Sequence, residues 1–553
     1  MVPSICLNSL QFHKLNKETI IKTLSQTKLI LLTVAFLVLF DNYAFFNNVL
    51  EVYPFTFENS GFLISLAVVL AAFTTLLFTL VSSKYTVKPV LIIVLIISSM
   101  TNYFMNSYKV VIDDTMIRNM MQTDMHESMD LLSIKQVLYF IFLGLLPAFL
   151  VYKVKLEDRG LKKEIFAKIV TVFASLALVI IPILIFSKHY TSFFREHKPL
   201  RYSTNPTYWI YSTGKYINKT FNSGPIIVKP LGKDAKIEED TNTTKKLVIF
   251  VVGEAARADH FSLNGYERET NPLLSKEDII NYSNVFSCGT STAESVPCMF
   301  SPFDRGDYSY KKGITNENVL DVLAHTDDVA VLWRDNNSDS KGMALRVPYE
   351  NYKSNKLNTI CTEDGECRDI GMLVGLDDFI EKNKEKNIFI VLHQMGNHGP
   401  AYYKRYPKEF EKFTPVCETN QLEECTQEEI TNAYDNAILY TDYFLKQTID
   451  FLKKYDQDYK TAMFYMSDHG ESLGEGGVYL HGLPYFMAPD AQTHIGAFMW
   501  FGEQMKQDVD IEKLEAEKDK QFTQDNLFHS MLGIFKVKTE VYDKDLDVFN
   551  GKQ

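Results

Sequence analysis

Five apolar runs fill the chain up to Ser187, near Leu29 to Val49, Gly61 to Ser83, Val90 to Tyr108, Val137 to Tyr152 and Ile169 to Ser187. Nothing else in the sequence restricts the fold as strongly. A helix needs roughly 20 predominantly apolar residues to cross the hydrocarbon core of a bilayer, so these runs predict a five-span α-helical membrane domain. The fourth run is short for a crossing, which leaves its ends open. The first is long for a signal-peptide core and no small-residue cleavage site follows it, so it reads as a retained anchor.

Loop charge orients the spans. Lys14, Lys17, Lys22 and Lys28 precede the first, Lys84 and Lys88 join the second to the third, and Lys153, Lys155, Arg159, Lys162 and Lys163 join the fourth to the fifth. These loops are expected on the cytoplasmic side. EVYPFTFENSG, between spans one and two, has no Lys or Arg and faces outward. Five crossings then put everything after Ser187 outside.

Cysteine usage agrees with that topology. Cys288, Cys298, Cys361, Cys367, Cys417 and Cys425 lie in the external part as three close-spaced pairs, and Cys6 lies on the reducing side. An even external set with one cytoplasmic thiol suits an oxidising compartment. Among the connectivities open to six cysteines, pairing between sequence neighbours is the preferred reading. A zinc-cysteine site competes with it, although the spacings lack CxxC knuckles. The formal charge of -12 argues against a nucleic-acid partner.

Between the third and fourth spans, VVIDDTMIRNMMQTDMHESMDLL reads as one external amphipathic helix. On it Asn119, Thr123 and Glu127 recur at i, i+4 and i+8 and would share a face. Spacing alone makes that face a solvated polar stripe. Asp41 and Asn42, inside or near the end of the first span, read as interfacial caps or as part of a headgroup pocket. Beyond the fifth span, an aromatic segment with scattered Lys and Arg suits a membrane interface, and Lys233 to Lys246 reads as a linker. The expected division is 1–188 for the membrane domain, 189–245 for interfacial helices and linker, and 246–553 for the external domain. In that last part strand-like and helical patterns alternate, predicting an α/β sandwich with a largely parallel sheet.

Four apolar, strand-like runs there end on polar side chains of metal-site type. KKLVIFVVGE delivers Glu254, VAVLWRDNN delivers Asp335, NIFIVLHQMGNHG delivers His393 and His398, and TAMFYMSDHG delivers Asp468 and His469. In open α/β sheets ligands gather at the carboxyl ends of strands. Carboxylates, imidazoles and nearby hydroxyls suit Zn(II) better than Mg(II), which prefers all-oxygen coordination. CGTSTAESVPC adds a hydroxyl-rich turn bounded by Cys288 and Cys298. A hydroxyl beside zinc can lose its proton near neutral pH and attack phosphorus, whereas the commoner role of such a Ser or Thr is to cap a helix. Spacing does not choose among Thr290, Ser291 and Thr292. His260, His325 and His529 read as structural, His393 and His494 are evenly balanced, and Glu471 reads as a supporting carboxylate or a helix-start residue.

The blocks VVGEAARADHFSLNGYERETNP, CGTSTAESVPCMFS, LWRDNNSDSKG, LHQMGNHGPAYYKRYP and SDHGESLGEGGVYLHGLPYFMAPDAQTH resemble those of the lipid A phosphoethanolamine transferases. That family includes the transferable colistin-resistance enzymes and belongs to the alkaline phosphatase superfamily. The likeness runs over nearly the whole chain. It implies a multi-pass protein of a bacterial inner membrane with a periplasmic α/β sandwich of alkaline phosphatase/sulfatase type. It also implies a zinc site of Glu254, Thr292, Asp468 and His469 with Thr292 as nucleophile. His398, His481 and Lys341 would contact the transferred phosphoryl group, the histidines alternatively binding a second zinc. Asn119, Thr123 and Glu127 would meet the lipid headgroup. The implied disulfides are Cys288 to Cys298, Cys361 to Cys367 and Cys417 to Cys425.

The reaction so implied moves phosphoethanolamine from phosphatidylethanolamine to a lipid A phosphate, with the protein acting as a monomer among membrane lipids. Two departures stand out: Ala255 follows Glu254 where the family usually has Thr, and THIGAFMW replaces the commoner THVP around His494 to Gly496. Neither touches an implied ligand. A transferase with another acceptor, a phosphoglycerol transferase of similar layout and a membrane-tethered sensor on a decayed phosphatase fold are the rival readings. The last is disfavoured because every implied ligand is present.

Overall fold

The computed structural model describes residues 23–123, 125–221, 227–238, 244–363 and 365–550. Cys6, Lys14, Lys17 and Lys22 lie outside the described residues. Two compact units emerge: Met1–Asn102 with Leu138–Leu200 and Thr204–Pro206, and Tyr103–Val137 with Arg201–Ser203 and Thr207–Gln553. The segment around 103–137 groups with the second unit.

In chain order the helices are α1 (Gln26–Phe40), α2 (Tyr43–Val52), α3 (Phe57–Val81), α4 (Val87–Tyr108), α5 (Asp114–Gln122), α6 (Met125–Asp130), α7 (Ile134–Lys153) and α8 (Leu161–Ile185). By length and composition α3, α4, α7 and α8 can each cross a membrane, and α1 with α2, bent by 54°, passes the same test as a pair and would be a fifth crossing if the pair is one span. The bend corrects the single uninterrupted first span. Its cause is the Asp41–Asn42 pair. The Asn42 side-chain amide donates to the Leu37 carbonyl at 2.9 Å and to the Asn205 carbonyl at 2.6 Å, and Asn205 donates back to Asp41 O at 3.1 Å and Ser98 O at 2.9 Å. Side-chain amides thus take up backbone groups that a broken helix would otherwise leave unsatisfied in lipid. The fourth span, short in the sequence, gains a turn at its start and reaches 20 residues.

α5 and α6 correct a second expectation. Asp113 caps α5 by accepting from the Met116 N–H at 2.8 Å, and Thr123 ends it with extended backbone (φ -64, ψ 132). Asn119, Thr123 and Glu127 therefore do not continue along one helical face. The Glu127 side chain lies outside the described residues. In α10 (Thr207–Phe221), which follows α9 (Ser187–Arg195), Lys215 and Lys219 hold the Asp114 carboxylate at 2.6 and 2.5 Å.

The external domain is built on an eight-stranded sheet. Its strands are β1 (Lys246–Gly253), β2 (Ile279–Phe286), β3 (Val329–Asp335), β4 (Tyr349–Asn351), β5 (Asn387–His393), β6 (Lys460–Ser467), β7 (His494–Phe501) and β8 (Phe522–Thr523). The spatial order is β8-β2-β7-β6-β1-β5-β3-β4. β6, β1, β5, β3 and β4 run parallel, and β7 is antiparallel to both β6 and β2. β1 explains the sandwich: Val248, Phe250 and Val252 enter one buried cluster, and Leu247, Ile249 and Val251 enter the other. Burying each such side chain contributes roughly 1.5–3 kcal/mol, so a strand apolar on both faces must lie at the centre. Helix α11 (Thr292–Met299) starts at the hydroxyl-rich turn. Helix α12 (Gln427–Lys453), opened by a Thr426–Glu429 capping box, packs Ile430, Tyr434 and Phe444 into one of those clusters.

Cys288–Cys298, Cys361–Cys367 and Cys417–Cys425 are disulfides, which leaves no thiolate there for zinc. The stretch read as a linker is partly tied down, since Lys236–Ile237 pairs with Val537–Lys538.

Candidate active site

Parallel register brings the ends of β1, β5, β6 and β3 together, pairing Gly253 with Ser467, Val252 with His393 and His393 with Asp335. Glu254 and Asp468 are therefore the next residues on adjacent strands. Their spacing is set by backbone: the Ala255 N–H donates to Asp468 Oδ1 at 3.2 Å, and Ala256 N–H to Ser467 Oγ at 2.8 Å. Ala255 sits at φ 53, and its carbonyl accepts from the Tyr434 hydroxyl at 2.6 Å. Its role is carried by main-chain atoms, which the missing family hydroxyl does not affect.

The structure also separates the three hydroxyls that spacing left open. Thr290 donates to the Leu483 carbonyl at 2.6 Å, and Ser291 Oγ lies 3.5 Å from Asn119 Oδ1. Thr292, the first residue of α11, places Oγ1 3.1 Å from Glu254 Oε2 and 3.4 Å from His469 Nε2. Its position at a helix start also favours an anion beside it. Gln524 ties this turn to the strand end, accepting from the Cys288 N–H at 2.7 Å and donating to Ser467 O and Asp468 O at 2.9 and 2.8 Å.

Glu254, Asp468 and His469 are fully buried, and one ligand atom from each lies within 4.8 Å of the others. Glu254 Oε1 and Asp468 Oδ2 have no hydrogen-bond partner. Burial, with the Glu254 charge beside it, pushes Asp468 up to about 6. Burial opposes charge on His469, yet the Asp468 and Glu254 carboxylates draw it up to about 10. Burial also works against the charge of Glu254, but the His469 imidazole holds it well below the usual carboxylate range. The cluster therefore favours a positive charge at its centre. His469 Nδ1 lies 2.8 Å from the Gly470 carbonyl, which fixes the ring so that Nε2 is the nitrogen facing the carboxylates, 3.3 Å from Glu254 Oε1 and 3.4 Å from Asp468 Oδ2. Two carboxylates, an imidazole and a hydroxyl fit a tetrahedral zinc.

Beside this cluster a small polar pocket is lined by Asn119, Thr123, Thr292, Lys341, His398 and His481. The His398 and His481 ring centroids are 6.1 Å apart, and His481 is 4.2 Å from His469. Buried Glu471 holds His481 Nδ1 at 3.2 Å, which assigns it the supporting role of its two readings. Asn337 was not singled out in the sequence. Its amide donates to Glu254 Oε2 at 2.8 Å and to Gln394 O at 2.9 Å. Its place just after a strand-end Asp is the only signal for it, and any loop Asn shares that signal.

Asp335 turns away from the cluster to accept from Trp333 Nε1 at 2.8 Å and to pair with His393 Nδ1 at 3.0 Å. His494 bonds the Ser283 carbonyl and stacks on Phe286, and His260 pairs with Asp435 at 2.6 Å, so neither joins the site. His325 pairs with Glu317, and His529 accepts from the Asp543 N–H.

Comparison with known proteins covers both parts of the chain. A sulfatase family model matches residues 246–537, and the model described as phosphoethanolamine transferase EptA/EptB matches residues 70–221. The chain is 48% identical over 493 residues to phosphatidylethanolamine transferase Mcr-1 of Escherichia coli, covering 87% of this chain and 91% of that protein. The solved integral membrane protein lipooligosaccharide phosphoethanolamine transferase A (EptA) from Neisseria meningitidis matches with a TM-score of 0.92 at 34% identity, over 96% of this chain and 99% of that one. The C-terminal periplasmic domain of phosphoethanolamine transferase EptC from Campylobacter jejuni is 42% identical, with a TM-score of 0.52, over 59% of this chain and 98% of that one.

Proposed function

Because the chain belongs to the phosphoethanolamine transferases of the alkaline phosphatase superfamily, we propose that it carries phosphoethanolamine from phosphatidylethanolamine to a lipid A phosphate through a covalent intermediate on Thr292. It is a multi-pass protein of the bacterial inner membrane with its catalytic domain in the periplasm. The observation that carries the mechanism is the placement of Thr292 Oγ1 against Glu254 and His469 at the start of α11.

A zinc ion held by Glu254, Asp468, His469 and Thr292 would lower the pKa of the threonine hydroxyl and polarise the phosphoryl group. Thr292 Oγ1, 3.1 Å from Glu254 Oε2, would attack the donor phosphorus after losing its proton to solvent, since Glu254 is held well below the usual carboxylate range and is a weak base. The bond from phosphorus to the glycerol oxygen breaks, and diacylglycerol leaves as it gains a proton. Lys341, His398 and His481 line the pocket where charge spreads over the phosphoryl oxygens, and such positioned charge dominates phosphoryl transfer. An acceptor phosphate then takes the group from Thr292. The product gains an ammonium, which weakens attraction for polymyxin and other cationic peptides. Asn119 and Thr123, on the same pocket, are assigned with Glu127 to the donor headgroup.

The test supplies phosphatidylethanolamine without acceptor. Wild type is expected to release diacylglycerol and gain a phosphoethanolamine adduct on Thr292, and Thr292→Ala to do neither while binding lipid normally. An adduct on another residue overturns the assignment.

A further inference from the structure

The small pocket at Thr292 adjoins a larger cavity of about 340 Å³, and Asn119, Thr123, His398 and His481 line both. That volume falls in the range of about 300–1,000 Å³ usual for small-ligand sites. Much of the remaining wall is apolar, built by Phe104, Met116, Leu131, Leu132 and Leu480. Tyr108 and Gln136 add polar groups to it. The Tyr108 hydroxyl is already engaged, donating to the Asn420 carbonyl at 3.2 Å. The Gln136 amide is not.

Gln136 is only 6% exposed, and its Oε1 is buried without a hydrogen-bond partner. Among the described residues its side-chain amide makes no hydrogen bond at either end. Its backbone is nonetheless fixed, since its N–H donates to Ser133 Oγ at 3.0 Å and Ser133 Oγ meets the Tyr103 hydroxyl at 2.8 Å. Buried amides nearly always find partners, so one without any on a cavity wall points to a ligand. Its place in the chain indicates which part of a ligand. Gln136 is the third residue of α7 (Ile134–Lys153), at the end opposite the Lys-rich loop, and Ile134 two positions earlier is 77% exposed. It therefore stands at the external end of a span, where the hydrocarbon core gives way to the interfacial layer.

We propose that this cavity receives the glycerol-ester part of the donor lipid and that Gln136 donates an N–H to one of its ester carbonyls. The proposal rests on the reading of phosphatidylethanolamine as donor. With the phosphorus at Thr292, the esters of that lipid lie a few bonds away, on the side of the leaving glycerol oxygen. Ester carbonyls are acceptors only, and an amide without other partners presents its N–H groups to them by turning about its last bond. A few placed polar groups on an apolar wall are how such sites fix the orientation of a ligand. Anchored at Gln136, the glycerol is held in position relative to Thr292 Oγ1 as its oxygen leaves. Gln136 is thus a specificity residue for diacyl lipids. A carbonyl satisfies its amide, and an ether methylene in the same place leaves that amide buried and unpaired.

The test uses the full chain in mixed micelles with diacyl phosphatidylethanolamine and its dialkyl ether counterpart, which differ only in the two carbonyls. Binding is read by competition with a fluorescent phosphatidylethanolamine in a Thr292→Ala background, where turnover is blocked. With Gln136 in place the diacyl lipid is expected to bind about fivefold tighter than the ether, the contribution of one neutral hydrogen bond. Gln136→Met keeps the length of the side chain without its amide and is expected to bind the two lipids alike. Gln136→Leu repeats the comparison, so that a fold lost to packing in one variant does not decide the result. A preference that persists in both variants, or that is missing with Gln136 in place, overturns the assignment. Diacylglycerol release is measured in parallel on protein that retains Thr292. Its failure overturns the donor reading instead, and the ratio of the two binding constants still decides Gln136.

Discussion

In the membrane unit Leu39, Phe173, Leu184 and Ile185 stand outward while Asp41, Asn42, Asn102 and Asn205 are buried. In the catalytic unit β1 hides Leu247 through Val252 on both faces, and the buried polar groups collect at its end as Glu254, Asp468 and His469. Both units bury polar side chains, but of different kinds. Amides carry donors and acceptors together, so Asn42 and Asn205 satisfy each other and the backbone around the bend. Carboxylates only accept, so one oxygen each of Glu254 and Asp468 makes no hydrogen bond and faces only the His469 imidazole, at 3.3 and 3.4 Å. Asp41 is intermediate, with one oxygen bonded to Asn102 and the other unpaired. A self-satisfied amide cluster stabilises a fold, whereas clustered carboxylates call for a cation and the chemistry it brings.

The largest effect should come from removing a carboxylate. Glu254→Ala is expected to lose zinc and at least about 10³-fold of transfer activity, while its metal-free form melts no lower than metal-free wild type. Metal analysis, lipid A mass spectrometry and thermal unfolding read these separately. A collapse of the metal-free fold would erase the contrast between the two clusters.

Glu471→Gln should lower kcat/KM about 10–100-fold with zinc content kept, because it loosens His481 and not the ligand set. Loss of zinc with activity would move Glu471 into the cluster itself.

Asp442 sharpens the comparison from outside the site, being a buried carboxylate that accepts from the Leu273 and Leu274 N–H groups. Burial pushes it up to about 7 from 3.8, so between those values the folded chain holds a proton that the unfolded chain has lost. Stability from this residue therefore falls as pH rises from about 4 to about 7 and is level above. Asp442→Asn should remove that slope, gaining on the order of 4 kcal/mol over wild type at pH 8 relative to pH 4. Parallel unfolding curves at the two pH values would reject it.

The smallest effect belongs to the amides. Asn205→Ala should destabilise the membrane unit by about 1–2 kcal/mol in detergent, since it strands the carbonyls of Asp41 and Ser98. Leu184→Ser, on an outward face, should cost less than about 0.5 kcal/mol by the same measurement in detergent. Equal losses would show that the cluster is not what holds the bend.

Composition and pattern determined a good deal by themselves. Apolar run length predicted the crossings, because a bilayer has a thickness that helices must match. Strands apolar on both faces predicted a covered parallel sheet, and polar residues just past their ends marked where a site forms. Glu254, Asp468 and His469 were readable for that reason. Contacts between residues far apart in sequence were not readable. The bend at Asp41–Asn42 depends on Asn205, 163 residues after Asn42, and Thr123 leaves the helical face only in the folded chain. The choice of Thr292 over Thr290 and Ser291 required the partners each hydroxyl meets, and the roles of Asn337 and Glu471 required the atoms they hold. Local periodicity decides which face of an element is buried, but a hydrogen bond is decided by where two distant segments come to lie, and only the tertiary structure supplies that.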